Sequence, residues 1–274
     1  MDDFAEPTCK PLLKMKAEEI ERKILEVSKF KWVEELKRLL FIVGELNQAF
    51  SFDPSCRVLE IGCGNGNVSR GMASMGYQVL GVDIDKDSIR EAQQNNPLPN
   101  LEFRAEAAED LREHGSFDAI VCTEVLEHLD DPSVVLDYVR ENLKEGGLFI
   151  STVPNGYGPR EFLMTKPQQF LQKNGMGGGL LKIKRALGYG YGTMQSSNPD
   201  LEHVQFFTKR RILKLHLDSG FRLRRFGHGD FVTCVFPFSI FTRRSKGLQR
   251  LDNALSNGLP SFLTSGFYMS FTRS

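Results

Sequence analysis

The sequence predicts an α/β fold, an open and mostly parallel sheet with helices on both faces. Three observations predict it. Between Arg57 and Val153 short apolar runs alternate with helical patterns, and strands alternating with helices at this interval are joined by right-handed crossovers. A glycine-rich loop, "EIGCGNG", ends the first of these runs, where a strand has to turn sharply into a helix. The final run, "GFYMSFTR", sets Phe267, Met269 and Phe271 against Tyr268, Ser270 and Thr272, the two-residue period of a half-buried strand.

In chain order, residues 1–50 are an expected N-terminal helical region. Ile20, Ile24, Val27, Leu36, Leu39, Leu40, Val43 and Leu46 recur at helical spacing among charges, which gives one or two helices. Residues 51–155 form the core, with strands expected at 57–61, 78–83, 101–104, 117–123 and 147–153. Asp131-Pro132 opens the helix before the fifth strand, and Gly146-Gly147 closes it. The pattern breaks over residues 156–200, which hold nine glycines among Phe162, Leu163, Phe170, Leu180 and Leu181. Arg160, Lys166, Lys173, Lys182, Lys184 and Arg185 are interleaved with them. A segment this long inside a compact domain reads as a lid or binding insertion. Residues 201–274 complete the fold: "FTKRRILKLHLDSGF" is a helix with its glycine stop, "RLRRFGHGDFVTCVF" a bent strand, and "GFYMSFTR" the last strand.

At 274 residues the chain accommodates one α/β domain with additions. Its five cysteines, Cys9, Cys56, Cys63, Cys122 and Cys234, are odd in number and form no CxxC pair. That argues against a disulfide framework or a thiolate zinc site and for a reducing compartment. The N-terminus lacks a signal-peptide core, and no apolar run approaches the roughly 18 residues of a membrane span, so a cytoplasmic protein is expected. Net charge is zero, yet residues 1–150 carry 17 Lys and Arg against 29 Asp and Glu, and residues 151–274 carry 18 against 6. The second half therefore either faces something anionic or packs beside the first. Nucleic acid is a poor candidate, because the basic residues are not arranged with a stacking-aromatic motif.

The glycine loop narrows the ligand. Gly62, Gly64 and Gly66 follow Glu60 in an E-x-G-x-G-x-G pattern, which differs from the GxGxxG of dinucleotide sites. Glu60 is a poor neighbour for a diphosphate and suits a ligand whose central charge is positive, such as S-adenosylmethionine. Asp83 ends the second strand, where a carboxylate accepts both hydroxyls of a ribose. In this company "LEIGCGNG", "GVDID", "FDAIVCTEVLEHLDDP" and "LKEGGLFISTVPN" resemble the successive motifs of class I S-adenosylmethionine-dependent methyltransferases. "TEVLEHL" and "EHVQFFTKRRILKLHLDSGF" are most similar to the ubiquinone-biosynthesis O-methyltransferases and their small-molecule relatives.

The resemblance implies a Rossmann-like, seven-stranded sheet whose last strand is antiparallel. It places Gly62 and Gly64 along the methionine part of the cofactor and Asp83 on the ribose, with Glu60, Cys63 and Gly66 also in the cofactor site. Ile84 would pack on the adenine, and Thr123 would close the site. Where relatives often carry an acid for the adenine amino group, this chain has Ala107, leaving Glu106, Glu109 or the backbone of Ala108 to serve. Methyl transfer to a hydroxyl needs a base. His128, just after the fourth strand, and His203, after the insertion, are the candidates, each also readable as a hydrogen-bonding loop histidine. Glu124, Glu127 and His128 form E-x-x-E-H, either a magnesium site, as the resemblance implies, or a helix-start hydrogen-bonding unit. The expected activity is O-methylation of a small apolar or lipid-linked acceptor, the basic apolar insertion meeting an anionic membrane surface. Methylation of a soluble sugar, polyketide or other metabolite beneath a lid, and a non-catalytic cofactor-binding scaffold, are the competing readings.

Overall fold

The computed structural model describes residues 15–30, 32–111, 117–167, 170, 203–233, 235, 238–242 and 244–273. Cys9 and Cys234 lie outside the described residues, as do Leu180, Leu181, Lys173, Lys182, Lys184 and Arg185 of the expected insertion.

The N-terminal region forms two helices, α1 (Ala17–Val27) and α2 (Val33–Phe50). Alternation then proceeds as β1 (Arg57–Ile61), α3 (Asn67–Ala73), β2 (Gln78–Val82), α4 (Lys86–Gln94), β3 (Leu101–Arg104) and β4 (Phe117–Thr123). There follow α5 (Ser133–Asn142), β5 (Leu143–Pro154), α6 (Lys209–Asp218), β6 (Phe221–His228), α7 (Ser239–Thr242), α8 (Lys246–Ser256) and β7 (Gly266–Arg273). The strands make one seven-stranded sheet in the order β3-β2-β1-β4-β5-β7-β6. The first five are parallel, and β7 runs antiparallel to both β5 and β6.

Each face of the sheet carries an apolar core. Successive residues on β1 divide between them: Val58 packs with Ile24, Leu39, Leu46 and Met72 from α1, α2 and α3, while Leu59 packs with Leu136, Phe149 and Ile212 on the other face. Burial on both faces explains why the strands read as continuous apolar runs. Strand order reverses between β1 and β4, so the crevice at their carboxyl ends is the place where an open α/β sheet accepts a ligand.

Two expectations are corrected. The helix before β5 ends at Asn142, ahead of the Gly146-Gly147 pair, because Leu143 is already paired with Phe117 in the sheet and the glycines form a bulge before Leu148 meets Ala119. The bent strand stops at His228: the Asp252 carboxylate on α8 takes the backbone N–H groups of Phe231, Val232 and Thr233, which withdraws them from any ladder. Among the described residues no helix is long and apolar enough to cross a membrane.

Candidate active site

After β1 the chain turns through Gly62 to Gly66 into α3. Gly62, Gly64 and Gly66 have φ of 69°, 52° and 77°, the left-handed region that strains any side chain. Space is also missing at two of them: a Cβ on Gly62 would strike Val125, and one on Gly66 the ring of Phe103. The loop is tied to β2, since the N–H groups of Gly62 and Cys63 donate to the Val82 carbonyl at 2.8 and 3.0 Å. Asp83 follows directly. Its Oδ2 accepts from the Gly64 N–H at 2.8 Å and its Oδ1 from the Asp85 N–H at 2.9 Å. One anchor per oxygen fixes the carboxylate and leaves lone pairs for ligand hydroxyls. Ile84, next along, is 75% exposed, a large apolar side chain at the mouth of the crevice.

Glu60 is placed differently from a surface counter-charge. It is fully buried beneath the loop and accepts a hydrogen bond from the Ser69 hydroxyl on α3. Burial pushes its carboxyl up to about 8, so at neutral pH it is mostly the neutral acid. Beyond β3, Ala108 is buried and Ala107 half-buried, Glu109 is exposed, and Glu106 lies 3.9 Å from Arg104.

At the end of β4 Thr123 is buried, its hydroxyl oxygen without a hydrogen-bond partner among the described residues. Glu124 then adopts φ of 56°, a left-handed conformation rare for a residue with a side chain. Three contacts hold it there: its N–H donates to the Thr152 carbonyl at 3.0 Å, its Oε1 accepts from the Thr152 hydroxyl at 3.2 Å, and Arg38 of α2 stands 3.3 Å away. The sharp turn lays Val125 on Gly62 and leads into the short turn that holds Glu127 and His128.

There the two expected histidines meet. Val204 and Gln205 both donate backbone N–H to the Glu127 carbonyl at 2.9 Å, which draws His203 to His128 with ring centroids 5.0 Å apart, edge to face. Each ring has a buried carboxyl near it: His128 Nε2 is 3.9 Å from Glu127 Oε1, and His203 Nδ1 is 3.5 Å from Glu161 Oε2. The Gly156 N–H donates to the Phe207 carbonyl at 2.9 Å. Gly156 and Phe207 are therefore held side by side at the rim of this site.

Glu127, His128 and His203 offer donor atoms within 4.8 Å of one another. Glu124, expected as the third ligand beside Glu127 and His128, is not in that set, because its carboxylate is turned to Arg38 and Thr152. One carboxylate with two imidazoles is not the hard, oxygen-rich site that magnesium selects. Burial first, and then Glu124, push the Glu127 carboxyl well above the usual carboxylate range. Both its oxygens lack hydrogen-bond partners among the described residues.

Two site residues escape the sequence analysis. Arg38 is buried on α2, and although burial opposes its charge, Glu34 and Glu124 hold it firmly protonated. Its signal was positional, since Arg38 and the buried Glu45 stand seven apart within the apolar stripe of Leu39, Ile42 and Leu46. Glu161 is an acid among the basic and apolar residues that open the insertion, and it is buried behind His203.

The family model described as a methyltransferase domain matches residues 25–225. Among curated proteins the chain is similar to the ubiquinone biosynthesis O-methyltransferase of Xanthomonas campestris pv. campestris (strain B100), 38% identical over 105 residues, which are 36% of this chain and 44% of that protein. The chain thus spans less than half the length of that relative. Among solved structures it resembles magnesium protoporphyrin IX methyltransferase from Synechocystis PCC 6803 with bound SAH, with TM-score 0.55 and 19% identity over 88% of this chain and 84% of that one. It also resembles geranyl diphosphate C-methyltransferase from Streptomyces coelicolor A3(2), with TM-score 0.56 and 14% identity over 88% and 79%. At such identities the structural likeness establishes the fold. The family match covers the glycine loop, Asp83, the turn after β4 and both histidines, and this chain belongs to the methyltransferase-domain family.

Proposed function

We propose that the protein transfers a methyl group from S-adenosylmethionine to a hydroxyl of a small apolar or lipid-linked acceptor. The observation that carries the reading is the rim formed by the glycine loop, the Asp83 carboxylate anchored to Gly64, and the exposed Ile84 beside it. A ribose needs the carboxylate, an adenine needs the apolar surface, and the turn at Gly62 leaves the methionine part close to the β4 end. When bound, S-adenosylmethionine supplies a methyl on a sulfonium that leaves as a neutral thioether. The chain's own part is to orient the acceptor, exclude water and take the hydroxyl proton. His128 and His203 are assigned that last role, with Glu161 orienting His203. The neighbour named for ubiquinone biosynthesis supports a lipid-linked acceptor for this chain.

In this reading magnesium is not required, because Glu124 is committed to Arg38 and two imidazoles make a poor magnesium site. Activity is expected to survive excess chelator; loss that magnesium alone restores would reinstate the metal. His128→Gln and His203→Gln should each lower kcat by roughly a hundredfold or more with little change in cofactor affinity. The test of the whole proposal is incubation with methyl-labelled S-adenosylmethionine and extract of the source cell, followed by partition of the label. Label in the organic phase supports the lipid-linked acceptor. Label in the aqueous phase moves the reading to a soluble metabolite, and no turnover at all leaves a cofactor-binding scaffold.

A further inference from the structure

Helix α8 is an amphipathic helix turned inside out. Its buried side is polar, consisting of Gln249, Asp252, Asn253 and Ser256. Hydrogen bonds hold that side down. Gln249 accepts from the Val33 N–H at 2.8 Å and donates to the Thr242 carbonyl at 2.9 Å. The Lys37 ammonium reaches the Asn253 carbonyl and the Ser256 hydroxyl, and Asp252 gathers the loop N–H groups of 231–233.

The outward side carries Leu248, Leu251 and Leu255, spaced three and four residues apart and so in one stripe. Phe238 and Phe241 precede the helix and Phe262 follows it, and all six side chains are between 47% and 68% exposed. A single exposed apolar residue needs no explanation; this many around a helix whose polar side is buried mark an interaction surface.

Charge selects the occupant. Residues 238–262 contain four cations, Arg243, Arg244, Lys246 and Arg250, and one acid, Asp252. That acid is buried and engaged, whereas Arg244, Lys246 and Arg250 are exposed, with Arg250 only loosely met by Glu21 of α1 at 3.9 Å. A second copy presenting the same face would set like charges together. An anionic bilayer accepts both the leucines and the cations.

We infer that α7, α8 and the turn after it form a docking surface for an anionic lipid bilayer, the leucine stripe entering the acyl boundary and Arg244, Lys246 and Arg250 meeting phosphates. The inference goes beyond the proposed function, since it holds whichever acceptor is methylated. It also has a consequence for the site: α8 is bonded to Val33 and Lys37, and the next residue of α2 is Arg38, which faces Glu124. Docking would therefore set α2, the helix that carries Arg38, on the membrane side.

The test is sedimentation of the full chain with vesicles of phosphatidylglycerol and phosphatidylcholine in equal parts, and with phosphatidylcholine alone. Binding is expected to the first and to weaken with salt. A variant carrying Leu248→Ser, Leu251→Ser and Leu255→Ser should bind about a hundredfold more weakly. A variant carrying Arg244→Gln, Lys246→Gln and Arg250→Gln, which leaves the apolar stripe intact, should lose about tenfold or more. Thermal unfolding of both should match the parent, since the replaced side chains are exposed. The inference is overturned if the parent stays in solution with both vesicles, or if the leucine variant binds as the parent does. It is equally overturned if light scattering shows a dimer that the leucine variant dissolves while vesicles are ignored. None of these readouts uses methyl transfer, so failure here leaves the proposed activity standing.

Discussion

At the scale of single residues, the site depends on side chains held in place before any ligand arrives. Asp83 is fixed by Gly64 and Asp85, so in the proposed function a ribose would meet a carboxylate with little rotamer freedom left to lose. Asp83→Asn removes the charge and one acceptor. S-adenosylmethionine affinity should fall by about 10- to 100-fold in calorimetry, the worth of charged hydrogen bonds; an unchanged constant would end the ribose assignment. Ile84 gives the cleaner control, because it is exposed and supports nothing in the fold. Ile84→Ser should leave unfolding within about 0.5 kcal/mol of the parent and still weaken cofactor binding by roughly tenfold through lost apolar contact. Equal cofactor affinity in parent and variant would mean that adenine packs elsewhere.

At the scale of elements, backbone turns decide what meets what. The loop after β1 is legible in sequence because glycine is nearly the sole residue that fits φ of 77° against the Phe103 ring. Gly66→Ala should therefore lower stability by about 1–3 kcal/mol, read as a fall in Tm; an unchanged Tm would show that Phe103 yields freely. The strands were legible for a similar reason, since burial on both faces writes itself as apolar runs. The left-handed turn at Glu124 was not legible, as a glutamate carries no mark of positive φ and the contacts that hold it come from Thr152 and Arg38, far away in the chain. Nor does α8 appear among the expected elements. Its buried side is polar, and the usual rule that apolar residues face inward reads such a helix wrongly. The pairing of His128 with His203 falls between these cases: both residues were visible, while the bonds from Val204 and Gln205 to Glu127 that join them were not.

At the scale of the whole molecule, two buried ionisable groups should oppose each other in the dependence of stability on pH. Burial lowers His216 to about 4, where its ring stacks on Phe271 at 4.3 Å beneath α6. An unfolded histidine titrates near 6.5, so the unfolded chain binds the extra proton between these values. The contribution of His216 is full above about pH 6.5 and is lost as pH falls toward 4, by roughly 3 kcal/mol in total. Glu60 has the opposite sign. Its folded value of about 8 lies above the ordinary carboxylate value, so the folded chain holds the proton. Its contribution is full below about pH 4.5 and is lost as pH rises through about 8. Between about pH 4.5 and 6.5 the two slopes work against each other, and above that window the Glu60 loss continues, beside that of the buried Glu127, whose carboxyl is raised as well. Urea unfolding across this range should show it by difference. Relative to the parent, the Glu60→Gln curve should climb between about pH 4.5 and 8, and the His216→Leu curve should fall between about pH 4 and 6.5, whatever constant offset each substitution adds. A Glu60→Gln curve parallel to the parent at every pH would mean that the carboxyl beneath the glycine loop is already ionised. It would then face a bound sulfonium as a full counter-charge, with no proton to shed first.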